Sequence, residues 1–454
     1  MTMAPNPMRP VAGAPRPYHF PEFDRRMLPN GLTVWMVPLA DSTMTNVHLL
    51  LDAGAAAEDE EHAGVAALTA QLLVTGTRRL DASAFAEATE RLGIEVSSES
   101  SWDSARAAFQ SLPEHLEAGM ALLAEMVLEP RLDAGEFKRL QAERLNDILQ
   151  SRADAGRLAE EMFLQHVFDS STPYRRLSAG TPESVVKLTL EDVRAHHATH
   201  WRPGLAHLVV AGSIDTEAVM RTAQMQLGGW EGSGPGHRSF ESQGAGGRRV
   251  VIVDRPGSVQ SELRMGLPGI SRTSDRYFPA LVMSAMLGGV FGSRLNRRLR
   301  EELGYTYGAR AGFDPRRAAG PFTASAAVQT EVTADAMREM LSLIEGIREA
   351  APEDGELKEV RDFLVGVFPL RFETTGGVAM AIEPLAVYGL PDDYWQTYRR
   401  NLEQVTSADV VSAARDLIAT DRLLMLVAGD SERIRGEIEE AAPAPVEVVS
   451  PPAG

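Results

Sequence analysis

Three histidines crowd the segment Ala195-His196-His197-Ala198-Thr199-His200-Trp201, and His196 and His200 stand four apart, a spacing that puts two imidazoles on one helical face. With Glu191 and Asp192 nearby, such a pair could begin a metal site. A hydrolytic metal centre needs further ligands and a general base beside its bound water. No such set accompanies these histidines, so the segment reads as polar residues on a helix leading to the next strand. His62, beside Glu58, Asp59, Glu60 and Glu61, reads as part of a solvated acidic loop. Neither H-x-x-E-H nor H-E-x-x-H occurs anywhere in the chain. The absence of cysteine excludes disulfides, thiolate zinc sites and cysteine nucleophiles. Gly288-Gly289-Val290-Phe291-Gly292 lacks the following Gly-Lys-Ser/Thr of a phosphate loop and reads as a tight connection between helices.

These residues sit in a chain of 454, long enough for two or three domains. Hydrophobic residues make up 44% and charged residues 24%, the balance of a folded chain rather than a disordered one. A formal net charge of -18 argues against nucleic acid or an anionic membrane as the main partner, because either would repel it. No run approaches the ~20 apolar residues of a membrane span, and the opening MTMAPNPMRPVAGAPRPYHF has no apolar signal-peptide core. The expected compartment is the cytoplasm, or the periplasm were an export signal to precede this sequence.

Composition divides the chain. Residues 1–17 and 441–454 are rich in Pro and Ala and are expected to be loosely ordered. Residues 231–247, rich in Gly and Ser, are the expected linker between domains at 18–230 and 248–440. The two sides repeat each other. Thr189-Leu190-Glu191-Asp192-Val193 opens a helix followed by the strand His207 to Gly212; Thr406-Ser407-Ala408-Asp409-Val410 opens another, followed by Leu424 to Gly429. Thr189 to Thr406 and Gly212 to Gly429 are each 217 residues apart, which points to a duplicated domain. Strands at Leu32 to Val37 and Val47 to Leu51 match Val250 to Val253 and Glu262 to Leu267, and a small-residue helix follows each set, Ala63 to Val74 and Phe278 to Leu287. The expected fold is α+β: two homologous domains, each a largely antiparallel sheet flanked by helices.

LPNGLTVWMVP, AGVAALTAQLLVTGT, TPYRRLSAGTPESVVKLTLEDVRAHHATHW and LGGVFGSRLNRRLREELGYTYGA together resemble the pitrilysin/insulinase family of zinc peptidases and its non-catalytic homologues, from about Tyr18 to Glu440. Active members carry H-x-x-E-H on the helix matching residues 63–77, two zinc ligands and the general base. Here the matching pentapeptide is Ala67-Leu68-Thr69-Ala70-Gln71, so neither ligand nor the base is present. The resemblance places the family's distal glutamate within residues 142–154, where Asp147 and Gln150 are the nearest candidates.

It also implies a role for Arg300 and Tyr307, which have the seven-residue spacing of the family's second-domain element facing the catalytic chamber. A guanidinium fork and a phenol can hold peptide carbonyls or support a developing oxyanion. The competing expectation has Arg300 paired with a surface carboxylate and Tyr307 packed in the sheet. The resemblance thus implies a substrate-binding subunit without a metal or cofactor of its own, paired with a homologous chain that holds the zinc, acting on peptides. Similarity to respiratory-chain core proteins allows an alternative, a structural or binding protein of the same fold without a peptidase role.

Overall fold

The computed structural model describes residue 13 and residues 16–452, and its two sheets have six strands each. The first is built from β1 (Asp24–Met27), β2 (Thr33–Pro38), β3 (Thr45–Leu51), β4 (Glu95–Ser100), β5 (Ala105–Ser111) and β6 (His207–Gly212), in the order β1-β2-β6-β3-β5-β4. The second uses β7 (Arg249–Asp254), β8 (Gln260–Pro268), β9 (Ala309–Phe313), β10 (Pro321–Gln329), β11 (Leu424–Gly429) and β12 (Val446–Val449), in the order β12-β7-β11-β8-β10-β9. Within each sheet β2–β6 and β7–β11 are parallel, while β3 and β8 pair antiparallel on both sides. The α+β architecture expected from the sequence is the one observed.

The repeat has a physical basis at both places. Thr189 caps the helix Leu190–His200 and Thr406 caps Ser407–Leu417, each accepting from the backbone N–H of an aspartate at the third helical position whose side chain returns to the cap. The helices lead into β6 and β11, whose residues are nearly all buried. The two sheets differ at one edge. β1 lies antiparallel to β2, whereas β12 adds in parallel to β7. The expectation of a loosely ordered tail from residue 441 is therefore corrected at Val446–Val449, where β-branched residues satisfy the open backbone edge of β7. Of the first 17 residues, only 13, 16 and 17 are among those described, and the Arg16 carbonyl accepts from Arg399 at 2.9 Å.

Residues 231–247 run between the sheets without helix or strand, apart from one isolated bridge between Phe168 and Gly244. Packing crosses the same boundary twice. The helix Ala155–Val167 lies on the second sheet, where Leu158, Ala159, Met162 and Phe163 join Val251, Val253, Leu424 and Leu426 in one apolar cluster. Its counterpart Thr375–Tyr388 lies on the first sheet, with Val378, Ala379, Ile382 and Leu385 against Trp35, Val37, Leu50 and Val209. Polar contacts fix the second crossing. Asn46 donates to Thr375 at 2.6 Å, and Glu383 meets His48 Nδ1 at 2.7 Å and Arg106 at 2.8 Å. Burial works to raise the Glu383 carboxyl, but His48 and Arg106 outweigh it and hold it below the usual range.

A third tie is the turn between β4 and β5. Asp103, buried, accepts from the hydroxyls of Tyr174 (2.9 Å) and Tyr388 (3.1 Å) and from the backbone N–H of Arg317 (2.8 Å). Trp102 beside it stacks with the guanidinium groups of Arg176 and Arg316. Because each half buries a helix of the other, cleavage within the exposed residues 231–233 is expected to leave both fragments in one particle. Size exclusion of the nicked protein checks this, and separation of the fragments without denaturant would refute it.

Candidate functional site

The helix Val65–Leu73 begins at Gly64, whose φ of 96° is left-handed; a Cβ there would meet the Ala179 carbonyl oxygen at 2.8 Å. Its start is held by Glu58, which accepts from the backbone N–H groups of Gly64 (3.0 Å) and Ala66 (2.7 Å) and pairs with Arg176 at 2.9 Å. Burial pushes the Glu58 carboxyl up to about 7, against the pull of Arg176 and the two amides. The solvated-loop expectation is corrected here: Asp59, Glu60 and Glu61 are exposed, but Glu58 is buried as the helix anchor. His62, half-exposed, bonds to Asp59 at 2.7 Å, and that bond raises its pKa.

Ala67 is 7% exposed and Ala70 0%, and Thr69 between them turns its hydroxyl back onto the Val65 carbonyl at 2.7 Å. Gln71 is the one polar side chain at a motif position, and its buried Oε1 has no partner among the described residues. Two methyl groups and one amide do not fit a zinc ion, which takes imidazole, carboxylate or thiolate ligands. On the helix Ala134–Ala153, the residues that pack with Val65, Leu68 and Leu72 are Phe137, Leu140 and Ile148. Asp147 and Gln150 are both exposed, so neither belongs to that contact.

His196 and His200 do share a face, with rings stacked at 4.6 Å. Burial drives the His196 pKa down to about 3 and also lowers those of His197 and His200. His197 turns elsewhere, to the Val127 carbonyl at 2.8 Å. Among the described residues no group of three or more His, Cys, Asp or Glu is arranged to hold a metal ion.

Arg300 and Tyr307 lie in the second half, where two wide helical turns, Ala285–Gly289 and Asn296–Glu302, bond from residue i to i+5. The frame around them is braced. Asn296 donates to Ser293 and accepts from the Ala309 amide at 2.9 Å, Arg294 grips Glu356 through two bonds, and Arg298 grips Glu339 likewise. Arg300 has no such clamp among the described residues. Its guanidinium lies 4.2 Å from the ring centre of Phe291, and its ion-pair partner is the neighbouring Glu301 at 3.4 Å. Tyr307 is 95% exposed, which excludes the alternative that its ring packs in the sheet. No contact joins Arg300 to Tyr307 among the described residues; the loop 303–308 presents the phenol separately, with Gly304 at φ 67° and Thr306 bonded to Gly308. Sequence reasoning passed over Phe291, Glu58 and Asp103.

Two family models match. One described as the peptidase M16 inactive domain covers residues 187–364, and one described as insulinase (peptidase family M16) covers residues 37–175. Among curated relatives, the non-peptidase homolog YmxG of Helicobacter pylori is 25% identical over 370 residues, 80% of this chain and 84% of that protein. A crystal structure of a peptidase M16 inactive domain from Pseudomonas fluorescens has a TM-score of 0.82 at 24% identity, covering 90% of this chain and 98% of that one. A protease from Helicobacter pylori has a TM-score of 0.83 at 18% identity, covering 90% and 99%. Both structures are alike in fold. No described helix is long and apolar enough to cross a membrane.

Proposed function

The chain belongs to the insulinase, or M16, peptidase family and lacks that family's zinc-binding residues, and from this premise we propose that it is the non-catalytic, substrate-binding subunit of a heterodimeric zinc peptidase. A homologous partner with an intact H-x-x-E-H helix supplies the metal chemistry, and this chain closes the chamber and holds the peptide. The observation that carries the reading is that Arg300 and Tyr307 stand beside a braced frame without being clamped into it, Arg300 pairing with its sequence neighbour Glu301 and Tyr307 being exposed. A phenol that is 95% exposed contributes almost nothing to folding, and a guanidinium that lies over an exposed ring and pairs with a surface glutamate through Nε keeps its terminal N–H groups for an acceptor. Such groups suit peptide carbonyls held in an extended chain.

Co-expression with an H-x-x-E-H homologue tests the proposal. One complex of roughly twice the chain mass of 49.3 kDa is expected, burying well above the ~1,600 Å² of a standard interface, with zinc in the partner and peptide cleavage only when both chains are present. Activity of the partner alone equal to that of the pair would refute it. A stable pair without peptidase activity would favour the alternative of a structural protein of this fold.

A further inference from the structure

Phe291 is 71% exposed, and with Tyr307 it is the most exposed of the aromatic side chains among the described residues. A lone exposed ring is ordinary on a protein surface. This one lies against the guanidinium of Arg300, at the mouth of two wide helical turns of a kind that recurs at functional sites. The ring contact limits where the guanidinium can sit. The cation lies over the apolar ring and its Nε side is taken by Glu301, which leaves its terminal N–H groups for an incoming acceptor.

Charge narrows what those donors take. Glu301 stands 3.4 Å from Arg300 Nε and is its ion-pair partner, whereas Glu302 is taken by Arg298 at 2.9 Å. An incoming carboxylate must compete with Glu301 for the guanidinium, whereas a neutral main-chain carbonyl adds no charge beside it. The side chain beside that carbonyl then falls against an exposed aromatic surface, where an apolar group buries area and a charged one loses hydration.

We propose that Phe291 positions Arg300 and sets a preference for an apolar side chain next to the peptide carbonyl that Arg300 holds. The inference rests on the proposed peptide-binding role of Arg300 and Tyr307. Fluorescence anisotropy with the full chain tests it, using dye-labelled peptides of Gly, Ser and Asn that carry one central Phe or, in the matched probe, one central Asp. The wild-type chain is expected to prefer the Phe peptide. Phe291→Ala should weaken that peptide by about fivefold to tenfold and erase the preference, while Phe291→Tyr, which keeps the ring, should restore both. Because the ring is exposed, neither change threatens the fold. An unaltered preference in Phe291→Ala, with Arg300→Ala still weakening binding, would overturn this inference alone. No binding by the wild-type chain, or binding indifferent to changes at Phe291, Arg300 and Tyr307, would overturn the peptide-binding reading along with it.

Discussion

Removing the Arg300 guanidinium or the Tyr307 hydroxyl from the assembled pair is expected to lower turnover by about 10²- to 10³-fold if either group supports charge developing on the substrate, and by less if it only positions a carbonyl. Tyr307→Phe is the sharper variant. It deletes one hydroxyl from a ring that touches little else, so stability and assembly should stay at wild-type values. Arg300→Ala removes the fork and frees Phe291, yet the neighbouring clamps of Arg294 on Glu356 and Arg298 on Glu339 keep the wide turn in place. The two changes should be strongly non-additive, because groups serving one bound peptide act as a unit. Steady-state kinetics, with zinc content and complex mass followed in parallel, check the expectation. Wild-type rates in the double variant would leave Arg300 as a surface charge and Tyr307 as an idle phenol, and the structural alternative would then stand.

How much of this was legible in the sequence depended on whether a feature is written locally. The duplication was, because a Thr cap with an Asp three residues on and a buried strand ending in Gly are local patterns, and both copies keep their spacing. The absent zinc ligands were legible for the same reason, since two imidazoles and a base must share one helical turn or so. The exchange of helices was not. The pattern of Ala155–Val167 and Thr375–Tyr388 shows that each has an apolar face, but nothing in it says which sheet that face meets. Strand β12 hid in a Pro- and Ala-rich tail, since a short edge strand takes its stability from the partner's backbone. Glu58 was lost in a run of four acids, three of which are solvated as expected while the fourth anchors a helix. Asp103 gave no signal at all, because its three donors come from residues 174, 317 and 388. Arg300 and Tyr307 were found through resemblance; Phe291, which touches Arg300 from nine positions upstream, needed the three-dimensional structure.

The burial that keeps two histidines neutral also couples them to the stability of the fold in acid. Burial lowers His196 from its ordinary value of 6.5 to about 3 and His207 to about 4. His207 also uses Nδ1 to accept the indole N–H of Trp35 at 3.2 Å, a bond that a proton on that nitrogen would destroy, and the Arg25 guanidinium repels a second cation there. In the unfolded chain both rings take up a proton as the pH falls below 6.5, while in the folded chain they stay neutral. At these two rings the unfolded state therefore binds more protons, and their contribution to stability is full above pH 6.5 and declines as the pH falls towards about 4. Each ring contributes about 1.4 kcal/mol per pH unit once well inside that window, and Glu58, whose carboxyl is raised to about 7 in the fold, takes up its proton there first and offsets one of them between about pH 7 and its ordinary value of 4.5. His207→Gln should flatten the decline by about 1.4 kcal/mol per pH unit, because an amide oxygen can still accept from Trp35 and carries no charge at any pH. Urea unfolding midpoints followed from about pH 7 down to about pH 5 measure the slope in both proteins. Equal slopes would mean that His207 is charged in the fold and that its bond to Trp35 does not persist in solution.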